Sequence, residues 1–137
     1  MANITGSVEE REEVRELWAR YAYALDHGDI DGWLNCFTED GVMESARLGR
    51  FEGHVGLRKF AGGIPETRSG AQIRHLCTNQ IMDLDGDQGT GSCYFMYFDC
   101  KNQNIQQVTV GEYRDVLKRV DGRWKIKHRR VELYGHR

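Results

Sequence analysis

Two residues of this chain, Asp26 and His75, carry side chains that together could move a proton. Asp26 stands in the stretch YAYALDHGD, where an apolar helical face ends just before Gly28. A carboxylate is unfavourable there, because the C-terminal end of a helix carries partial negative charge. A carboxylate that accepts the proton of one imidazole nitrogen fixes the tautomer of the ring and leaves its other nitrogen as a base. We therefore expect Asp26 to orient His75, which lies in the stretch RHLCTN.

Each of these residues also has a purely structural interpretation. Asp26 can cap the turn at HGD through its own backbone, and His75 can be a core histidine paired with a carbonyl group.

Tyr21 and Tyr23 lie about 200° apart on a helix, so only one of them can face a pocket. Tyr21 shares the side of Trp18, which favours a place in a pocket wall with a hydrogen bond available.

The first element that must position Asp26 is a helix that begins after Ser7. Ser7 and Glu10 have the spacing of a capping box. At 100° per residue, Asp26 falls beside Ala22 on the flank of the apolar face and therefore borders the core. That face consists of Val14, Leu17, Trp18, Tyr21 and Leu25.

Two further helices are predicted before the pattern changes to strands. The second is capped by Asp29 or Asp31, carries Trp33 and Phe37, and ends at the turn-like TEDG before a strand VMESA. The third follows a turn at Gly53 and is closed by two glycines, Gly62 and Gly63.

From Ile73 onward, apolar residues alternate with polar ones in four successive segments that the turn signals DGDQG, KNQN and DGR separate. This pattern predicts an antiparallel meander of four strands. His75 shares one strand face with Ile73, while His128 shares the parity of Trp124 and is expected to pack. Helices first and a sheet afterwards predict an α+β domain, in which the helices cover one face of the sheet.

Size and charge exclude several classes of function. The 137 residues suit one domain, and 19 Lys and Arg against 21 Asp and Glu create no strong field that would attract nucleic acid. No apolar stretch approaches the length of a membrane span, and the N-terminal residues lack a secretion signal pattern, which predicts a cytoplasmic protein without membrane contact. The four cysteines have no metal-site or disulfide spacing, so we expect reduced thiols and no metal.

Several stretches of the chain resemble the SnoaL-like family of the nuclear transport factor 2-like superfold. They are YAYALDHGDIDGWLNCFTEDGVMES, FEGHVGLRKF, RHLCTN and GEYRDVLKRVDGRWKIKHRRVEL, which together cover nearly the whole chain. The resemblance implies residues 1–137 as a single SnoaL-like domain. It also implies a cone-shaped α+β barrel in which N-terminal helices pack into a strongly curved, mostly antiparallel sheet around a deep apolar pocket.

The sequence looks closest to the branch with hexachlorocyclohexane dehydrochlorinase, scytalone dehydratase and bile-acid dehydratase. Members of that branch use an aspartate on the first helix and a histidine on a strand for proton transfer, which implies these roles for Asp26 and His75. Arg129 falls where the dehydrochlorinase has a pocket arginine, and Tyr21 matches a tyrosine of the bile-acid dehydratase motif. The second pocket histidine and the tyrosine pair of scytalone dehydratase are not recognisable here.

These observations lead to a hypothesis of a cofactor-independent lyase or isomerase, dehydratase-like, that acts on a hydrophobic cyclic or aromatic small molecule. Asp26 and His75 would be catalytic, and no metal or cofactor is needed. The expected pocket residues are Trp18, Tyr21, Trp33, Phe37, Phe95, Tyr97 and Arg129. Two alternatives are a non-catalytic binding protein or dioxygenase small-subunit-like partner, and a polyketide cyclase. The uncovered sheet face predicts a homodimer or homotrimer.

Overall fold

The helices occupy the first half of the chain. In the computed structural model, which describes residues 4–68 and 72–136, α1 spans Val8–Asp26, α2 spans Ile30–Leu34 and α3 spans Gly53–Arg68. Ser7 accepts a hydrogen bond from the backbone N–H of Glu10 at 3.1 Å, while the Glu10 carboxylate accepts one from the Ser7 N–H at 3.2 Å. The predicted capping box of α1 is confirmed.

Two of the helix boundaries differ from the predicted ones. Phe37 begins a strand instead of ending α2, and TEDG belongs to that strand, whose pairing is irregular between Phe37 and Val42. α3 runs through Gly62 and Gly63 to Arg68. Neither glycine has the positive φ that a left-handed helix cap requires, so the helix does not end there.

The second half of the chain forms the predicted antiparallel meander. Its strands are β3, Gln72–Asp85, β4, Gln88–Lys101, β5, Asn104–Val120, and β6, Arg123–His136. Two strands precede them, β1, Phe37–Ser45, and β2, Gly49–Glu52, of which β2 was not predicted. The sheet order is β2-β1-β6-β5-β4-β3, and every pair is antiparallel except β1 with β6.

The sheet is curved but not closed into a barrel. Its edges are β2 and β3, which do not pair with each other in the described part of the chain. The expected cone of N-terminal helices packed into a curved, mostly antiparallel sheet is confirmed, and the sheet of this cone is open between its two edge strands. The helices lie against its concave side.

Alternation along β5 shows how the two faces of the sheet differ. Gly111, Tyr113, Asp115 and Leu117 are buried against the helices, while the residues between them point outward. A pairing irregularity opposite Val116 and Leu117 adds one residue to β6 and shifts the alternation along β6 from there on. None of the helices in the described residues is long and apolar enough to span a membrane.

Candidate active site

Asp26 and His75 are in direct contact where the end of α1 meets β3. The ring Nδ1 of His75 lies 2.5 Å from one carboxylate oxygen of Asp26. The other carboxylate oxygen accepts a hydrogen bond of 2.9 Å from the backbone N–H of His75. The Asp26 side chain is 3% exposed and that of His75 is 11% exposed. Both oxygens of one buried carboxylate therefore hold one histidine.

This contact determines which ring nitrogen of His75 is available for chemistry. A proton on Nδ1 is the one that the Asp26 carboxylate can accept as a hydrogen bond, and in a neutral ring of that tautomer Nε2 carries the lone pair. The carboxylate also stabilises the positive charge that the ring gains when Nε2 takes a proton. Such an arrangement is chemically able to serve as an oriented general base.

His75 faces a cavity of about 170 Å³ between the helices and the concave side of the sheet. A dry cavity of similar size is known to hold one benzene ring. Its lining is mostly apolar or aromatic, with few polar groups: Tyr21, Leu25, Met43, Leu48, Phe60, Ile64, Ile73, His75, Phe95, Tyr97, Thr109, Tyr113, Val131 and Leu133. The imidazole of His75 is the basic group of this lining.

A second space touches the same pair from the outside. A groove of about 440 Å³ between α1 and β3 is lined by Asp26, His75, Arg74 and Gln80, among others. Asp26 belongs to the lining of the groove and not to that of the inner cavity. His75 therefore stands between the cavity and the groove, with Asp26 behind it.

The hydroxyl of Tyr21 is a second polar group in the cavity lining that could take part in a proton transfer. It is 2% exposed, and its hydroxyl donates to the thioether sulfur of Met43 at 3.6 Å. Burial raises the pKa of Tyr21, while the Arg129 guanidinium and the Trp33 indole counteract this increase. The phenol is therefore a neutral proton donor at ordinary pH.

Arg129 is completely buried in an ion pair with Asp115. Its Nε and Nη2 donate to the two Asp115 oxygens at 2.8 and 2.7 Å, and the Trp18 indole N–H donates to the same carboxylate at 2.7 Å. The guanidinium carbon lies 4.2 Å from the ring centre of Tyr21 and 3.9 Å from that of Tyr113. Burial works to lower the pKa of Arg129, but the Asp115 carboxylate raises it well above its ordinary value.

The predicted pocket residues divide into two groups. Tyr21, Phe95 and Tyr97 line the cavity together with His75. Outside the lining lie Trp18, Trp33, Phe37 and Arg129.

Each residue outside the lining has a partner that accounts for its place. Trp18 and Arg129 are directed to Asp115, whereas Trp33 and Phe37 pack on the far side of Tyr21 with ring centres 5.6 and 5.9 Å away. In this structure the four side chains support the wall of the cavity, Trp18 also lines the outer groove, and their expected contact with a ligand stays a prediction.

Asp115, Tyr113 and Met43 are among the residues of the site that the sequence-based selection missed. The pattern GEYRDVL contained a usable signal, because strict alternation places Asp115 on the same face as Tyr113 and Leu117. An aspartate on an apolar strand face needs a buried partner. Met43 carried no comparable signal. Within the described residues, no three His, Cys, Asp or Glu side chains cluster as metal ligands would.

Comparison with solved structures gives matches of the same architecture. The Asp-to-Asn variant of Rv3472, a protein of unknown function from Mycobacterium tuberculosis, is 31% identical with a TM-score of 0.85, over 93% of this chain and 77% of that one. An NTF2-like protein with a cystatin-like fold from Novosphingobium aromaticivorans is 24% identical with a TM-score of 0.86, over 93% and 83% of the two chains.

A third similar structure, from Catenulispora acidiphila, contains S-DNPA. It is 26% identical to this chain with a TM-score of 0.82, and the match covers 93% of this chain and 95% of the other. No curated protein matches the chain. The family model described as the SnoaL-like domain matches residues 6–130. With its NTF2-like architecture and a match over almost its full length, the chain belongs to the SnoaL-like family.

Proposed function

We propose that this protein is a cofactor-independent lyase or isomerase, dehydratase-like, in which His75 and Asp26 transfer a proton of a small hydrophobic molecule. The observation that carries the proposal is the 2.5 Å contact between His75 Nδ1 and the buried Asp26 carboxylate at the wall of an apolar cavity. A histidine held this way at a concave apolar site is a good candidate for a general base.

The proposed step begins with Nε2 of His75, which removes a proton from a carbon of the bound molecule. Asp26 holds the ring and stabilises the imidazolium that forms. The electron pair of the broken C–H bond moves toward a carbonyl group or expels a leaving group on the neighbouring carbon. Tyr21 donates to the oxygen that becomes negative, because its hydroxyl lies in the cavity wall while Arg129 is neutralised by Asp115.

The size and lining of the cavity support a compact cyclic or aromatic substrate. A space of about 170 Å³ is enough for about one ring. Phe95 and Tyr113 stack with ring centres 4.2 Å apart, and Tyr97 packs on His75 at 4.9 Å. These aromatic surfaces exclude water and strengthen the charge interactions of the proton transfer. The bound S-DNPA of the Catenulispora acidiphila structure supports use of this fold for small molecules.

The test compares His75→Ala and Asp26→Asn with the wild type in solvent-deuterium exchange. A panel of cyclic ketones and hydroxy-ketones is incubated in D₂O, and mass spectrometry measures deuterium incorporation. Exchange requires only removal of the proton, so the true product need not be known. We expect each variant to lose about 10²-fold or more of the exchange rate while circular dichroism stays unchanged.

His128→Ala is the matched control for this experiment. His128 also contacts a carboxylate, with Nε2 2.8 Å from Glu44, but it lies outside the cavity lining. Its removal should leave the exchange rate unchanged. Absence of exchange by the wild type on ligands that demonstrably bind would contradict the proposal and favour a binding protein. Ring closure of a linear polyketone without exchange would favour a cyclase.

We also propose that the outer face of the sheet joins two copies of this chain. Leu76, Met96 and Val110 are register partners across β3, β4 and β5 and form one apolar row, with Tyr94 beside it. Leu76, Tyr94 and Val110 are exposed. A contiguous apolar patch of this kind marks an interface.

Light scattering tests this dimer, because one chain weighs 15.8 kDa. We expect the mass of a dimer for the wild type and the mass of a single chain for the variant Val110→Glu. Val55→Glu, on the exposed side of α3, should stay dimeric. A monomeric wild type at micromolar concentration would refute this interface.

A further inference from the structure

Two buried nitrogens that have no hydrogen-bond partner among the described residues lie next to the same tyrosine. They are Nε1 of Trp33 and Nη1 of Arg129, and both residues are 0% exposed. Buried N–H groups are almost always paired, so two unpaired donors around one residue call for an explanation. The residue between them is Tyr21.

Tyr21 contacts both residues through its ring. The ring centre of Trp33 lies 5.6 Å from that of Tyr21, and the guanidinium carbon of Arg129 lies 4.2 Å above the Tyr21 ring. Burial raises the pKa of Tyr21, and Arg129 and Trp33 act against this increase, Arg129 as a cation and both as donors to the phenol. Two buried N–H groups that complete no hydrogen bond thus belong to the two side chains packed on this one phenol.

The Tyr21 hydroxyl donates its own proton to the sulfur of Met43 at 3.6 Å, and Met43 is part of the cavity lining. A thioether is a weak acceptor that a substrate oxygen can readily replace. The phenol therefore has donors behind it and an exchangeable acceptor in front of it.

We propose that Trp33 is a positioning residue for Tyr21: its indole N–H, together with Nη1 of Arg129, holds the phenol oxygen so that Tyr21 protonates an oxygen of the substrate in the cavity. This inference rests on the proposed lyase function and deepens it. The substrate would carry a hydroxyl group on the carbon next to the acidic C–H.

The step balances as a dehydration. His75 takes the C–H proton, and the electron pair of that bond forms the carbon–carbon double bond. The C–O bond breaks with its electron pair, and the departing oxygen takes the Tyr21 proton and leaves as water. The phenolate is then stabilised by Trp33 and Arg129 until the proton held by His75 returns to it through water.

The charged and titratable groups around Tyr21 are consistent with this role. Arg129 on β6 favours the phenolate, whereas Asp115 on β5 opposes it. Tyr113 on β5 packs edge-on with its ring centre 5.8 Å away, and burial raises its own pKa well above the ordinary value. Tyr113 therefore stays neutral, and the Trp33 indole adds a donor without adding charge.

Trp124 offers a comparison with Trp33. Its Nε1 is also buried without a partner, but the ring lies under Arg119, 5.7 Å from the guanidinium carbon, and is not part of the cavity lining. Trp124→Phe therefore removes the same kind of donor from a different place. It is the matched control for Trp33→Phe.

The experiment measures ionisation of the residue-21 phenol directly. A difluorinated tyrosine, whose phenol is more acidic, is incorporated at position 21 in the full chain, and ¹⁹F NMR follows its titration. We expect Trp33→Phe to lower the acid ionisation constant of this phenol about 10- to 100-fold, because an N–H donor to the phenolate is lost. Trp124→Phe should leave it unchanged. Equal titration curves for all three proteins would overturn the inference.

A second substitution protects the test against misfolding. If Trp33→Phe does not fold, 3-benzothienylalanine at position 33 keeps the two-ring shape, lacks the N–H and should give the same shift. The outcome is independent of the deuterium-exchange assay. A shifted phenol with no exchange by the wild type would refute the proposed function alone, whereas His75-dependent exchange with an unshifted phenol would refute the role of Trp33 alone.

Discussion

Asp115→Asn should destabilise this protein more than its small change in shape suggests. The substitution removes one charge of a completely buried ion pair whose two hydrogen bonds measure 2.8 and 2.7 Å. Arg129 would then be an uncompensated cation between two aromatic rings. Loss of one partner of such a pair costs about 3–5 kcal/mol of unfolding free energy. Trp18 can still donate to the amide oxygen, so its hydrogen bond adds little to this cost.

This magnitude is large compared with the total stability of a domain of this size. Small domains have unfolding free energies of about 5–15 kcal/mol. The loss corresponds to a decrease in melting temperature of about 10–15 °C. Urea unfolding followed by circular dichroism measures the change. Glu12→Gln is the control, because it breaks an exposed pair with Arg15 and should cost about 0.2–1 kcal/mol.

A double-mutant cycle separates the charge effect from packing. Arg129→Met removes the buried cation, so Asp115→Asn in that background no longer leaves an isolated charge. The double variant should be more stable, by about 2 kcal/mol or more, than the sum of the two single losses predicts. Strict additivity, or a loss below about 1 kcal/mol for Asp115→Asn, would refute the view that Asp115 neutralises Arg129.

Three further predictions concern positions away from the cavity. Gly111→Ala should prevent folding or lower the free energy of unfolding by more than about 3 kcal/mol, because the added Cβ would collide with the Glu132 carbonyl oxygen. Gly63→Ala, on the open surface of a helix, should leave the melting temperature unchanged or raise it. Burial raises the pKa of the Cys36 thiol to about 11, so alkylation at pH 9 should be about 100-fold slower than for an exposed thiol, as peptide mass mapping would show. Ser7→Ala should cost about 1 kcal/mol in urea unfolding through loss of the cap.

The contact between Asp26 and His75 could be predicted because local rules determine both partners. Helical periodicity placed Asp26 at the border of the core, and strand alternation placed His75 on a single face. A packed helix and sheet then leave little choice of partner for a buried carboxylate. The meander was predictable for the same reason, since its turns carry residues with positive φ such as Gly86, Asn102 and Asp121.

The other site residues depended on features that periodicity does not contain. Trp124 and Ile126 share a face, but the pairing irregularity that follows turns Arg129 inward, where strict alternation would point it outward. His128, expected to pack, is instead half-buried and bonded to Glu44. Only the family resemblance indicated the inward position of Arg129. Its partner Asp115, which explains why Arg129 does not face the ligand, required the structure.

The parallel pairing of β1 with β6 has a consequence for the order of events during synthesis. Among the described strands β1 pairs with β2 and β6 alone, and just before β1 the Cys36 carbonyl accepts a hydrogen bond of 2.8 Å from the backbone N–H of Ile126. About 90 residues separate these partners in the chain. During synthesis on the ribosome, the pair of β1 and β2 therefore cannot join the sheet until β6 has been made. Until then the unpaired edge of β1 and the aromatic residues around Trp33 are accessible to chaperones and can mispair with another nascent chain.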